Sequence, residues 1–339
     1  MKAVAYMKPG VELVDIEEPV IHGGDDVKIK MAYCGICGSD IHIVHGAFDP
    51  IIPQLPFPIG HESTGVIVEL GPKATAKGLK VGDKVAYYYN LYCGKCHFCK
   101  NGQEHLCTGV TFNMSSMCEY IVVSEAQVWK LPEDVSLLKG ALSEPISFCL
   151  HTVDMGNIKP GDTAVVSGGG AIGLMTMLLC KRAGASKITV IEPIAEKREM
   201  ALKLGASYVI DPMTEDVCAK IMEITSGRGY DAVFECSGAK PTIQACLTYA
   251  SAGATIVYAA MYGDGCVNVN LYDLFNREIK ITAPHQSPYT WQRTMSLISE
   301  LDLDLFTQCV YPKEDFAKAF EAQRESKNAK VIIKINADL

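Results

Sequence analysis

Four cysteines stand close together in the chain, Cys93, Cys96, Cys99 and Cys107, with gaps of two, two and seven residues between them. Thiolates at this spacing can converge on one tetrahedral Zn²⁺ and leave it no open position, which makes a structural rather than a catalytic site. An iron–sulfur cluster is the alternative, but a C-x₂-C-x₂-C run of that kind expects its fourth cysteine closer by and followed by proline. Here Cys107 lies eight residues beyond Cys99 and Thr108 follows it. His97 falls inside the knot and is read as a bystander, because four sulfurs already complete the sphere. A second set of metal-binding types lies upstream, in Cys34-Gly35-Ile36-Cys37-Gly38-Ser39-Asp40-Ile41-His42 and Gly60-His61-Glu62. Cys37, His61 and one carboxylate suit an open zinc site, which keeps about three protein ligands and leaves a place for water or substrate. Cys34 and Cys37 also form C-x-x-C, but a redox pair wants a thioredoxin-like βαβ setting that this glycine-rich region lacks, so Cys34 is read as buried filler.

A third pattern is Gly168-Gly169-Gly170-Ala171-Ile172-Gly173, which satisfies G-x-G-x-x-G directly after the strand-like run TAVVS and at the start of a helical run. In that setting Gly168 makes the tight turn, Gly170 lets backbone approach a pyrophosphate and Gly173 brings helix and sheet together, with the amides around Ala171 and Ile172 facing the phosphates. An acidic residue about 20 positions further on is expected to accept from the adenosine ribose. Glu192, nineteen beyond Gly173 at the end of KITVI, stands there, with Lys197 as a cofactor-side cation that, together with Arg198, could partly neutralise a phosphate. A carboxylate at that point repels a 2′-phosphate, which predicts NAD over NADP. The plainer alternative for Glu192 is a solvated charge at a helix entry.

The elements that must position these residues change texture along the chain. Up to about residue 150 the sequence is rich in glycine, proline and short β-branched runs, Val27–Met31, Gly65–Leu70 and Lys84–Tyr89 among them, which predicts a β domain of short strands and long loops. From Asp162, strand-like and helical runs alternate, with further strands over Tyr208–Ile210, Ala232–Cys236, Ala254–Ala259 and Glu278–Ala283. That predicts a six-stranded, doubly wound parallel sheet. Trp291–Glu300 and Asp315–Arg324 read as helices, and Lys330–Ile335 as a strand returning to the first domain.

The chain has 339 residues, 48% of them hydrophobic, enough for two cored domains. Net charge is -8, which opposes the broad phosphate-backbone footprint of nucleic-acid binding. No window reaches the roughly 18 apolar residues of a membrane span. Fourteen cysteines spread through a chain beginning MKAVAYMKPG, without a basic-then-apolar leader, point to a reducing, cytoplasmic setting.

With these motifs in this order, the chain resembles the zinc-dependent medium-chain dehydrogenases, most of all the sorbitol and other polyol dehydrogenases, over nearly its whole length. The resemblance implies an α/β fold: a GroES-like β-rich catalytic domain from 1–150 and 284–339 with a structural zinc lobe near 90–110, and a Rossmann domain at 151–283. It implies two zinc ions per subunit and NAD. Carried over by position, Cys37 and His61 are catalytic-zinc ligands, Glu62 a ligand or close neighbour, and Ser39 passes the substrate proton toward His42. Glu144, in LSEP, falls where polyol enzymes place a glutamate ligand and classical alcohol dehydrogenases a cysteine; a helix-start charge is its other reading. Ala259 to Met261 and His285 to Ser287 would flank the nicotinamide. Met114 to Tyr120 and Ile43 depart from the sorbitol pattern, at positions that would line the substrate pocket. The implied activity is zinc-assisted hydride transfer between NAD and a secondary alcohol of a polyol or sugar, with an amino-alcohol or diol dehydrogenase of the threonine or butanediol type as the alternative. The partner is a small-molecule alcohol, and a homodimer or homotetramer is expected, with Ala254–Val269 as the pairing segment.

Overall fold

The computed structural model describes every residue except Pro53, Thr75, Asp264, Gly265 and Val267. The chain divides into two compact units, Met1–Glu144 with Pro288–Leu339, and Pro145–Ser287. The second border falls at 287/288 rather than 283/284, and the first differs from 150/151 because the helix Ser143–Gly156 runs into the second unit. There Cys149 Sγ donates to the Ile172 carbonyl at 3.5 Å and Met155 Sδ lies 3.9 Å from Thr282 Oγ1.

The main sheet of the first unit runs in the order Val128–Lys130, Lys84–Tyr87, Glu62–Leu70, Asp26–Gly35, Val331–Lys334, Cys309–Pro312, and Tyr120–Ser124 also pairs with Asp26–Gly35. Val27, Ile29, Met31, Tyr87, Ile121, Val331 and Ile333 are all buried in one core. Each such side chain contributes roughly 1.5–3 kcal/mol on leaving water. Register, more than core packing, places the metal-binding residues. Gly35 stands opposite Glu62 on one side, and Ile332 stands opposite Gly35 on the other. The end of the first long strand, the GHE segment and the returning C-terminal strand therefore share one row, and Cys37, His61, Glu62 and Lys330 are brought together by strand pairing across nearly the full length of the chain.

The second unit is a parallel sheet in the order Tyr208–Ile210, Lys187–Ile191, Thr163–Ser167, Tyr230–Glu235, Ala250–Tyr258, Lys280–Thr282. The chain winds outward to one side from Thr163–Ser167 and then crosses to the other, so the topological switch point lies between Thr163–Ser167 and Tyr230–Glu235, where α/β sheets bind ligands outside their carboxyl ends. Strands here are apolar almost throughout because connecting helices cover the sheet; Ala164, Val165, Val166, Ile188, Val190 and Phe234 are buried. Of the described residues in the expected pairing segment 254–269, only Ala254–Tyr258 lie in a strand. Ala250–Tyr258 has a partner strand on each side, the edge strand next to it among the described residues is Lys280–Thr282, and Asp264, Gly265 and Val267 lie outside the described residues. Among the described residues no helix is long and apolar enough to cross a membrane.

Candidate metal centres and dinucleotide site

Cys37 leaves the strand Asp26–Gly35 and stands at the N-cap of the short helix Gly38–Val44. Its backbone N–H donates to Asp40 Oδ2 at 2.8 Å, and Asp40 is fully buried. His61 stands just ahead of the strand Glu62–Leu70 and follows Gly60, whose φ of +95° and close neighbours admit no side chain: an added Cβ would lie 2.7 Å from Cys34 Sγ and from Met117 Cγ. Ligand atoms of Cys37, His61 and Glu62 all lie within 4.8 Å of one another. Glu144 is not in that group, yet its charge is felt at His61.

The electrostatics call for a cation. Cys37, Asp40, Glu62 and Glu144 surround one buried imidazole, and the cation facing them, Lys330, is buried and ion-paired to Glu62. Burial would lower the His61 pKa, but the Cys37 sulfur, by charge and hydrogen bond, and then Asp40 and Glu144 outweigh it and take it up to about 10. Burial raises Glu144 to about 7, partly offset by His61. His61 Nδ1 and Asp40 Oδ1 sit 3.9 Å apart, and neither has a hydrogen-bond partner among the described residues. A divalent ion satisfies this donor set better than a proton does, and thiolate, imidazole and carboxylate are zinc-type ligands.

The second cluster brings Cys93, Cys96, Cys99 and Cys107 together within the same 4.8 Å limit. Backbone N–H groups of Cys96 and Gly109 donate to Cys93 Sγ at 3.4 Å and to Cys107 Sγ at 3.3 Å. Bonds from the Cys99 and Thr108 amides pull the Cys96 thiol down to about 6, whereas burial and then its sulfur neighbours push Cys99 up to about 12. Sulfurs that cannot all ionise without a cation are what a closed Zn²⁺ site resolves. His97 turns its ring onto Phe98 and stays out of the cluster.

In the second unit, Gly168 has a φ of +103° and Gly170 caps the helix Ala171–Ala183. An added Cβ on Gly173 would collide with the Gly168 carbonyl oxygen, while one on Gly170 would meet nothing within 4 Å, so its outer face is open for a ligand to approach. Glu192 is buried rather than solvated: Oε2 accepts from Gly169 N–H at 2.6 Å and Oε1 from Ile194 N–H at 2.9 Å. Lys197 is buried, and burial lowers its pKa against the pull of Glu192. Arg198 is committed elsewhere, to the Glu192 and Pro193 carbonyls and to Asp211 at 3.0 Å. Ala259 and Ser287 are buried, and Met261 and His285 are exposed.

Ser39 Oγ is buried and has no hydrogen-bond partner among the described residues, and His42, one helical turn on, is exposed. Residues three apart share a helix face, which suits a proton path outward. Sequence reasoning passed over Asp40, Lys330 and Tyr89. The Tyr89 ring stands edge-on to His61, centroids 5.0 Å apart, and Tyr88 Oη and Tyr92 Oη are hydrogen-bonded at 2.9 Å beside it. Only the density of Tyr88-Tyr89-Asn90-Leu91-Tyr92 next to the cysteine lobe hinted at this.

Residues 23–133 match the family model described as alcohol dehydrogenase GroES-like domain, and 171–300 the one described as zinc-binding dehydrogenase. The chain is 33% identical to D-arabitol-phosphate dehydrogenase of Enterococcus avium, covering 100% of this chain and 98% of that protein. It is 34% identical to L-threonine 3-dehydrogenase of Pyrococcus abyssi, covering 98% of each. Among solved structures, 2R,3R-butanediol dehydrogenase of Bacillus subtilis superposes with a TM-score of 0.87 at 28% identity over 99% of each chain.

Proposed function

Because the chain belongs to the zinc-dependent alcohol dehydrogenase family of oxidoreductases acting on alcohol carbons, we propose that it moves hydride between NAD and a secondary alcohol of a polyol or sugar, free or phosphorylated. The observation that carries this reading is the buried convergence of Cys37, His61 and Glu62 with the Tyr89 ring against His61 and Tyr88 behind it. A zinc ion held there supplies Lewis acidity toward an alcohol oxygen, and NAD supplies the hydride acceptor.

The protein's own part is placement and proton traffic. Ser39 Oγ takes the proton of the substrate hydroxyl, and the exposed His42 on the same helix passes it to water; imidazole is suited to that exchange near neutral pH. Asp40 holds the Cys37 amide and so orients that ligand, and its charge is felt at His61. Lys330 neutralises Glu62 and leaves Cys37 and His61 as the firm ligands, with Glu144 as the mobile carboxylate. In the other unit, Gly168, Gly170, Ala171, Ile172 and Gly173 form the pyrophosphate turn, and Lys197 stands near Glu192. Glu192, with Arg198 occupied by Asp211, selects against a 2′-phosphate. Ala259, Met261, His285 and Ser287 serve the nicotinamide end. The cysteine lobe takes the second zinc of each subunit. We also propose self-association through the apolar face formed by Leu271, Tyr272 and Phe275 on the helix Leu271–Arg277, since these three residues are 75%, 73% and 79% exposed.

The deciding experiment is a panel of polyols, sugars, sugar phosphates, butanediol and threonine with NAD and NADP, read as kcat/KM. Polyols or their phosphates with NAD should lead. A lead by threonine or butanediol moves the assignment to the amino-alcohol or diol type, a reading that similarity to the threonine enzyme keeps in view. A preference for NADP overturns the role given to Glu192.

A further inference from the structure

Glu235 ends the strand Tyr230–Glu235 and is fully buried, yet both its carboxylate oxygens are surrounded by donors. Oε1 accepts from Ser237 N–H at 3.0 Å, from Thr242 Oγ1 at 2.8 Å and from Ser237 Oγ. Oε2 accepts from Gly238 N–H at 3.1 Å and from Tyr262 Oη at 2.7 Å. These donors belong to two separate stretches of chain. Ser237, Gly238 and Thr242 lie on the turn leaving this strand and the helix it opens, whereas Tyr262 lies on the segment that leaves the neighbouring strand Ala250–Tyr258. Tyr262 ties the two together. Its hydroxyl also reaches the Glu235 carbonyl at 3.0 Å and accepts from Ala260 N–H at 3.1 Å, and its ring stands edge-on to Tyr258, centroids 5.8 Å apart.

A buried carboxylate is tolerated only when its lone pairs are satisfied, and here that satisfaction is drawn from two loops at once. Both loops leave the carboxyl edge of the sheet on the far side of the switch point from the pyrophosphate turn and Glu192. A dinucleotide laid across a switch point places its two halves on opposite sides of it. The half anchored by Glu192 is the adenosine, so the other half meets the loops that Glu235 and Tyr262 fasten.

We infer that Glu235 and Tyr262 are positioning residues for the nicotinamide half of the cofactor, acting by clamping the 236–239 turn to the 259–262 segment; the inference rests on the nicotinamide-cofactor reading above. Neither side chain is asked to touch the reacting atoms. The clamp fixes backbone amides and the Ala259–Met261 segment in one arrangement before the cofactor arrives, so that binding does not have to order them. The adenosine half, held by Gly168–Gly173 and Glu192, is independent of it.

The test is calorimetric titration of the zinc-loaded full-length protein and its Tyr262→Phe variant with NADH and with ADP-ribose, which lacks the nicotinamide. Loss of the hydroxyl frees Glu235 Oε2 from the second loop and takes the acceptor from the Ala260 N–H, and NADH affinity should fall roughly five- to hundredfold while ADP-ribose affinity stays within about twofold. Thr242→Val, which removes one donor from the same carboxylate, should give a smaller change in the same direction and serves if the Tyr262 variant folds poorly. Equal losses for both ligands mark a merely structural role and overturn the inference, as does an unchanged NADH affinity. If the wild-type protein binds NADPH in preference, the NAD assignment falls, and the same comparison made with NADPH still decides the clamp. A wild-type protein that binds neither dinucleotide sinks both.

Discussion

Replacing Lys330 with methionine tests the register that builds the metal site. The Lys330 and Glu62 side chains retain only 3% and 1% of their exposure, and they form an ion pair beside Gly35, whose strand lies between theirs. Removing one partner of such a pair strands the other as a buried charge, at about 3–5 kcal/mol. For a unit of about 200 residues each kcal/mol is worth about 2–4 °C, so the metal-free variant should melt about 6–20 °C below the metal-free wild type. Glu62 also lies within 4.8 Å of the Cys37 and His61 donors, so a bound divalent ion can take over the charge that Lys330 neutralised. The deficit should therefore shrink in zinc-loaded protein. Replacing both partners with methionine should recover most of the loss, because a buried pair exchanged whole for apolar groups is close to neutral. The assay is thermal unfolding followed by circular dichroism, with chelator or with excess zinc. A single variant within about 1 kcal/mol of wild type under chelation, with no gain from the double replacement, would show that Glu62 is not held by Lys330.

The same charges and surfaces set two further outcomes. Glu144 has a folded pKa near 7 against an ordinary 4.5, so its contribution to stability is complete below about 4.5 and is lost as pH rises through 7. Under chelation, Glu144→Gln should gain on wild type between pH 5 and 8 by on the order of 3 kcal/mol, since each tenfold change in proton affinity is worth about 1.4 kcal/mol. A difference that stays flat over that window in urea unfolding would place the carboxylate in solvent. Leu271→Asp with Phe275→Asp should convert a dimer or tetramer to monomer in light scattering while leaving zinc content unchanged, and an unchanged mass would move the interface elsewhere.

How much of the fold and site was legible in the sequence depended on how local each signal is. The cysteine knot and the glycine turn are readable because their partners are near neighbours in the chain, so spacing stands in for geometry. The parallel sheet is readable for a related reason: strands covered on both faces write continuous apolar runs, and only their ends slip by a residue or two, as where Ala232–Cys236 becomes Tyr230–Glu235. Lys330 carries no such signal. A lone lysine before VIIK reads as a solvated strand entry, and it becomes buried only because Ile332 pairs with Gly35 while Gly35 pairs with Glu62. Asp40 was visible in GSDIH but reads as an ordinary first-turn acid until its burial is known.

The carboxylates show why residue type alone misleads at such sites. Glu62, Glu144, Glu192 and Glu235 are all at least nine-tenths buried, yet each is used differently because each meets a different partner. Glu62 faces an ammonium and is ion-paired to it. Glu144, taken out of water and set among other carboxylates, drifts toward its neutral form, which leaves it free to change state when a cation or substrate arrives. Glu192 accepts two backbone amides, and Glu235 accepts two amides and the hydroxyls of Ser237, Thr242 and Tyr262. A carboxylate saturated by fixed amides holds the backbone around it, whereas one pushed toward neutrality by burial and like charge is the group that can take a metal or give up a proton. On that criterion Glu144 is the carboxylate free to change state, whereas Glu192 and Glu235 hold their loops in place.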